Sequence, residues 1–330
     1  MSSEKKKVCS ARNKTISCTI EEGQSYLTKC MTEEQISKLV PNLYQLYNQT
    51  IIGDFFQIAP QLPKKFVDLM IVDPPYNLTK QYHGNTFTKK KMIDYEAYTR
   101  QWLSQTIPLL KENASVYVCC DWESSLVIGC VLGEFLQVRN RITWQREKGR
   151  GAKANWKNSM EDIWFATYSD TYTFHTDAVK QRRKVLAPYR VEGVPKDWQE
   201  DGTQRYRDTY PSNFWDDITI PFWSMPENTA HPTQKPEKLI AKLILASSNP
   251  GDLVFDPFLG SGTTSVVAKK LERQYLGIEQ NPQYAIWTQM RLERAESEPK
   301  IQGYEDGVFW ERNSLAAQKA KSCIDKQNHV

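Results

Sequence analysis

The 330-residue chain has no apolar run approaching the roughly 18 residues that would span a bilayer. Its start, Met1 to Lys7, is polar and is followed by no apolar stretch. Secretion and membrane insertion are therefore not expected, and the chain reads as cytoplasmic. Its seven cysteines are odd in number, scattered, and never spaced Cys-x-x-Cys, so they read as reduced thiols. The four histidines, at 83, 175, 231 and 329, form no metal-ligand spacing, and no metal is expected. Neither sign of charge dominates: the formal net charge is +4, so the local distribution of charge says more about a polyanionic partner than the total. No repeat of 20 to 50 residues is evident, which argues against solenoids and propellers.

What is present is ordinary globular composition, 40% hydrophobic and 25% charged. That length allows one large α/β domain with an insertion, or two modest domains. Residues 1–30 read as a tail or irregular cap. Thr32 and Gln35 form a capping box ahead of Ile36, Leu39, Val40, Leu43 and Leu46 at helical spacing, with Pro41 expected to kink or divide that helix. Phe66 to Val72 is almost wholly apolar, as in a strand buried on both faces of a parallel sheet. Helices are then expected over 94–110 and 124–136, with strands at Ser115 to Cys120, Arg141 to Gln145 and Asp162 to Tyr168. After an aromatic and basic stretch from Tyr172 to Asn228, regular α/β pattern returns. Pro236 to Ser248, Thr263 to Leu271 and Gln283 to Ala295 read as helices, and Leu253 to Phe255 and Tyr275 to Glu279 as strands. This alternation specifies a doubly wound α/β sheet.

Two segments follow strands and carry chemistry. Asp256-Pro257-Phe258-Leu259-Gly260-Ser261-Gly262-Thr263-Thr264 links a strand to a helix, where unpaired backbone amides and glycines let a polar ligand approach. Glu279, 19 residues beyond Gly260 at the end of the next strand, suits ribose hydroxyls. No Gly-Lys-Ser/Thr follows, so a phosphate loop fails, and Ser265 stands where a dinucleotide fingerprint wants its third Gly or Ala. A nucleoside without pyrophosphate fits better.

The other segment is Asp73-Pro74-Pro75-Tyr76. An exocyclic amino group of adenine or cytosine is a poor nucleophile, because its lone pair is delocalised into the ring. The Asp73 carboxylate and the Pro74 carbonyl offer two acceptors for its two hydrogens, and so localise the pair towards an electrophilic methyl. The prolines fix the backbone, and Tyr76 offers a face for stacking worth roughly 1–3 kcal/mol. A base in a duplex must flip out to reach such a pocket.

With these motifs in this order, the chain resembles the β group of amino-group DNA methyltransferases, in which the catalytic motif precedes the cofactor loop. Gly53-Asp54, Asp73 to Asn77, His231-Pro232-Thr233-Gln234-Lys235-Pro236 and Asp256 to Thr264 carry the resemblance from about Thr50 to Glu296. It implies a Rossmann-like S-adenosyl-L-methionine-dependent sheet with circularly permuted motif order and an inserted target-recognition region. Phe258, Gly260 and Gly262 would meet the methionine portion and Glu279 the ribose, with Asp54, Asp73, Lys235, Pro236, Asp256 and Thr263 lining the same pocket. Asp73 at the first position and Asn77 after the tyrosine look more like adenine-specific members. The chain contains no Pro-Cys pair, so cytosine carbon-5 chemistry is rejected. His231 reads as a helix-entry residue rather than a catalytic one.

The organisation that follows is a tail over 1–30, a catalytic half over 31–170, a recognition insertion over 171–228, a cofactor half over 229–296 and a tail over 297–330. Arg146, Lys148, Arg150 and Lys153, together with Arg182, Arg183 and Arg205 and with Asn77, are the candidate DNA contacts. DNA, a second copy of the chain and a cognate restriction endonuclease are the expected partners. An N4-cytosine enzyme, a catalytically silent DNA-binding module and a regulatory methyltransferase are the alternatives.

Overall fold

A computed structural model describes residues 10–38, 43–82, 85–146, 154–185, 189–201 and 204–312. Nine strands form the main sheet: β1 (Met31–Thr32), β2 (Gln49–Ile52), β3 (Val67–Val72), β4 (Leu110–Cys120), β5 (Gln137–Gln145), β6 (Met160–Thr167), β7 (Phe214–Trp215), β8 (Leu253–Asp256) and β9 (Gln274–Glu279). Their spatial order is β1-β2-β9-β8-β3-β4-β6-β5-β7. Neighbours run parallel except at β6, which is antiparallel to both β4 and β5.

The almost wholly apolar character of β3 now has its reason. Met70 and Val72 enter one core, with α1 (Met92–Thr106) and α2 (Trp122–Phe135). Leu69 and Ile71 enter the other, with α3 (Glu237–Ser247), α4 (Thr263–Lys270) and α5 (Pro282–Ser297). The helix after β3 thus covers one face and the helix after β8 the other, although β3 and β8 are adjacent. This is the switch point at which an open α/β sheet leaves a crevice beyond its carboxyl edge.

The expected capping box is present: Thr32 N–H donates to Gln35 Oε1 at 2.8 Å, and Gln35 N–H to Thr32 Oγ1 at 3.3 Å. The helix it starts runs Glu33–Lys38; Leu39 to Asn42, including Pro41, lie outside the described residues.

The aromatic, basic stretch from Tyr172 is not irregular. Gln181–Lys184, Gln199–Asp201 and Gln204–Thr209 pair antiparallel and belong to a second, five-stranded sheet. Its remaining strands, Val308–Trp310 and Tyr304–Glu305, come from the segment expected to be a tail from 297. A three-residue apolar strand is too short to show periodicity, so only pairing to Gln181–Lys184 reveals it. Residues 313–330 lie outside the described part.

At the other end, Ile16 pairs with Thr229, and Tyr26 and Leu27 pack against Ile286 and Trp287 of α5. Residues 10–30 therefore act as a cap rather than a tail.

α3 is buried along its whole length. Its Lys238 and Lys242 point at Asp217 (2.7 and 2.8 Å), forming a buried ion triad. Burial pulls Lys242 down to about 8 even against the pull of that carboxylate.

Phe309 is fully buried in the core shared with α3. The Phe309→Ala variant is expected to lose about 3–5 kcal/mol in a urea unfolding series, whereas an exposed tail residue would change stability by about 0.5 kcal/mol or less.

Candidate active site

Four acidic groups arrive at the crevice from parallel strands: Asp54 just after β2, Asp73 just after β3, Asp256 ending β8 and Glu279 ending β9. Because β6 runs backwards, its beginning lies at that same edge, and Trp144 of β5 pairs there with Glu161. A cavity of about 310 Å³ opens between these strand ends.

The donor side is built by the glycine loop. Glu279 accepts the Gly260 amide at 2.7 Å and the Asn281 amide at 2.8 Å. Asp256 accepts the Phe258 amide at 3.0 Å and the Thr264 hydroxyl at 2.6 Å. Burial pushes both carboxyls up to about 7, against the downward pull of these hydrogen bonds. Gly260 adopts φ +57°, and a Cβ there would stand 3.3 Å from His231 Nε2. Phe258 packs on Phe55 with ring centroids 5.3 Å apart and meets Trp102 edge-on, giving the cavity an apolar wall.

Eight of the ten expected donor-pocket residues line this cavity. Pro236 and Gly262 do not. Pro236 caps α3 from outside. Gly262, at φ +80°, is a glycine because a Cβ would fall 2.5 Å from the Thr288 side chain of α5. Its freedom serves helix packing, not ligand approach.

The acceptor side is a dense polar cluster. The Tyr76 hydroxyl donates to Asp73 Oδ1 at 2.9 Å, and Lys235 Nζ donates to Asp73 Oδ2 at 2.7 Å and to the Tyr76 oxygen at 3.0 Å. Burial acts to lower the Lys235 pKa, but the Asp73 and Glu161 carboxylates outweigh it, and the ammonium is held above its ordinary range. Burial, with Asp73 and Glu161 beside it, keeps the Tyr76 phenol protonated. Tyr95 donates its hydroxyl to the Pro75 carbonyl at 3.1 Å, fixing the motif from below.

The expected DNA contacts divide. Asn77 is buried, and its side-chain amide bonds the backbone of Lys90 in both directions (2.8 and 3.0 Å), so it anchors a loop and cannot meet DNA. Arg146 turns inward to Glu161 at 2.5 Å. Arg182 pairs in a bidentate manner with Asp208 (2.8 Å for each bond) and stacks on Tyr206, so it holds the small sheet together. A guanidinium on a strand with a carboxylate on its neighbour finds that partner before it finds phosphate. Arg183 is half-buried and bonds Gln181 at 3.1 Å. Arg205 is exposed, near the Trp198 ring. Lys148, Arg150 and Lys153 lie outside the described residues.

Three features were missed in the sequence. Glu161 joins the acceptor cluster; its only signal was a carboxylate pair, Glu161-Asp162, at the mouth of an apolar strand. His231 enters the region of α3 as expected, yet its ring also lines the cavity and meets Tyr284 edge-on at 4.4 Å. The aromatic wall draws on Phe55, Phe56 and Tyr98, which no motif flagged. Among the described residues no cluster could hold a metal and no helix is long and apolar enough to cross a membrane.

A buried carboxylate beside a glycine in the left-handed region, where a side chain would crowd His231, an apolar wall, and an acceptor cluster across the cavity fit a nucleoside donor with a polar tail. Fold and site define an S-adenosyl-L-methionine-dependent methyltransferase. Residues 67–289 match the DNA methylase family model of N6- and N4-type enzymes, and the chain belongs to that family. It is 32% identical to the DNA adenine methyltransferase YhdJ of Escherichia coli K12 over 281 residues, 81% of this chain and 92% of that protein. It is 33% identical to the type II methyltransferase M.HpaI of Haemophilus parainfluenzae over 251 residues, covering 75% and 74% of the two chains. The M1.HpyAVI–SAM complex shares the fold at a TM-score of 0.52 and 25% identity, covering 74% of this chain and 98% of that one. The cytosine-N4-specific PvuII methyltransferase does so at 0.57 and 17%, covering 76% and 90%.

Glu279 sits at about 7 in the fold against 4.5 for a free glutamate. A raised carboxyl adds stability in full below pH 4.5 and loses it as pH rises through about 7. Between pH 5 and 8 the ligand-free wild type is therefore expected to lose on the order of 1–3 kcal/mol relative to Glu279→Gln, read from unfolding curves of both proteins.

Proposed function

We propose that this chain is a sequence-specific DNA methyltransferase that acts on the exocyclic N6 amino group of adenine, serving as the modification enzyme of a restriction-modification system in the cytoplasm. The observation that carries the adenine reading is the acceptor cluster itself: Asp73, not serine, stands 2.9 Å from the Tyr76 hydroxyl at the carboxyl end of β3. The names of the relatives, an adenine methyltransferase and a type II methyltransferase, support it. The fold shared with a cytosine-N4 enzyme supports the second reading, an N4-cytosine target.

In this proposal S-adenosyl-L-methionine supplies an electrophilic methyl when bound. Glu279 accepts the ribose hydroxyls, Phe258 and Gly260 flank the methionine portion, and Asp54, Asp256 and Thr263 shape the remaining wall. Asp73 accepts one amino hydrogen and the Pro74 carbonyl the other, drawing the nitrogen towards tetrahedral geometry. Asp73 then takes the proton released as the nitrogen returns to planarity. Tyr76 stacks on the base, which must leave the duplex to arrive. Arg205 and the exposed face of the small sheet are the proposed approach to DNA, where cations contact phosphate without reading sequence. The chain is also proposed to form a homodimer.

Labelled donor and duplex DNA, followed by nucleoside chromatography, test the target: N6-methyladenine is expected, and N4-methylcytosine instead would establish the second reading. Asp73→Ala should lower transfer by roughly 10³-fold or more; unchanged transfer would remove Asp73 from the chemistry. Because ribose hydroxyls donate more strongly to the ionised Glu279 than to its neutral form, donor affinity should rise from pH 5.5 to 8, with a proton released on binding near pH 6. Calorimetry in buffers of different ionisation enthalpy reads both, and pH-independent affinity would exclude Glu279 from the donor site.

A further inference from the structure

Glu161 is nearly fully buried, and its carboxylate meets Tyr76 and Lys235 of the acceptor cluster and Arg146 at its border. One oxygen accepts the Tyr76 hydroxyl at 3.2 Å and lies 3.4 Å from Lys235 Nζ; the other pairs with Arg146 at 2.5 Å. The Tyr76 hydroxyl and Lys235 Nζ are the same two groups that bond Asp73. The two carboxylates therefore share their partners, and the phenol's single proton is divided between them.

The charges balance. Asp73 and Glu161 are two negatives against the positives of Lys235 and Arg146, so the cluster is neutral. In methyl transfer to an amino group, positive charge leaves the sulfonium donor and grows on the nitrogen held at Asp73. Without Glu161, Asp73 alone would face two cations, and the cluster would carry net positive charge where positive charge must develop. Lys235 and Glu161 are each 7% exposed and Asp73 and Arg146 only partly so, and water screens such a charge incompletely over a few ångströms. Arg146 would also be left without its carboxylate; its Nε already lacks a hydrogen-bond partner.

We propose that Glu161 is a positioning residue for methyl transfer: it offsets Lys235 and Arg146 so that Asp73 keeps its acceptor strength, and it holds the Tyr76 hydroxyl so that the ring face stays in place for the incoming base to stack on. The role rests on amino-methyl transfer as such and is the same whether adenine or cytosine accepts.

The test is single-turnover methyl transfer at saturating donor and DNA. Glu161→Gln, which keeps shape but removes charge, should be roughly 10- to 100-fold slower, with donor and DNA affinities within about threefold of wild type. Glu161→Asp, which keeps the charge, should recover most of the rate. Adding Arg146→Met to Glu161→Gln removes the excess cation and should raise the rate of the single variant at least about fivefold. That double variant also covers the case in which Glu161→Gln folds poorly, since its buried charges are again equal in number. A Glu161→Gln rate within about threefold of wild type overturns the proposal. So does a slow Glu161→Gln that neither Glu161→Asp nor the double variant improves, which would mark a purely structural carboxylate. Wild-type transfer measured on the same DNA keeps a failure of the activity distinct from a failure of this role.

Discussion

Lys235 is an ammonium group with a side chain only 7% exposed, and a charge so placed persists only if carboxylates surround it. Asp73 and Glu161 do so from two strands, β3 and β6, that are not neighbours in the chain. The segment bearing Lys235 is in turn tied to the glycine loop, because the Thr263 hydroxyl donates to the Lys235 carbonyl at 3.1 Å. The acceptor motif, the reversed strand and the donor loop are therefore held in one frame by one residue. Removing Asp73 or Glu161 leaves the buried ammonium with a single carboxylate.

The reversed β6 has a consequence for this frame. Had it run parallel with its neighbours, Glu161 at its start would lie at the opposite edge of the sheet from Asp73. An antiparallel strand among parallel ones brings its first residues to the carboxyl edge, where the crevice lies. The same logic of direction explains why residues from five strands meet although they span much of the chain. Parallel strands deliver their ends together, and the change of helix face between β8 and β3 keeps the space above them open.

Much of this was legible in the sequence. The buried strands announced themselves as apolar runs, the helices as periodic ones, and Asp73, Tyr76, Gly260 and Glu279 as short motifs at strand ends. Rigid local geometry makes such motifs readable, since prolines and glycines fix the backbone whatever lies around them. The arginines were less legible. Arg146 and Arg182 resemble phosphate contacts in a list of basic residues, yet each has a carboxylate on an adjacent strand, and an ion pair across a sheet depends on register that sequence does not show. Asn77 misled for a related reason: its amide fits a backbone loop as well as it fits a base edge.

The sequence by itself determined the α/β class, the order of acceptor motif before donor loop, and the residues at the two strand ends, because these are properties of consecutive residues. Only the tertiary structure decided that Glu161 completes the acceptor cluster, that Gly262 serves helix packing, and that Val308–Trp310 joins the second sheet. Each depends on groups far apart in the chain being brought within a few ångströms, and hydrogen bonds, ion pairs and close packing act only over that distance.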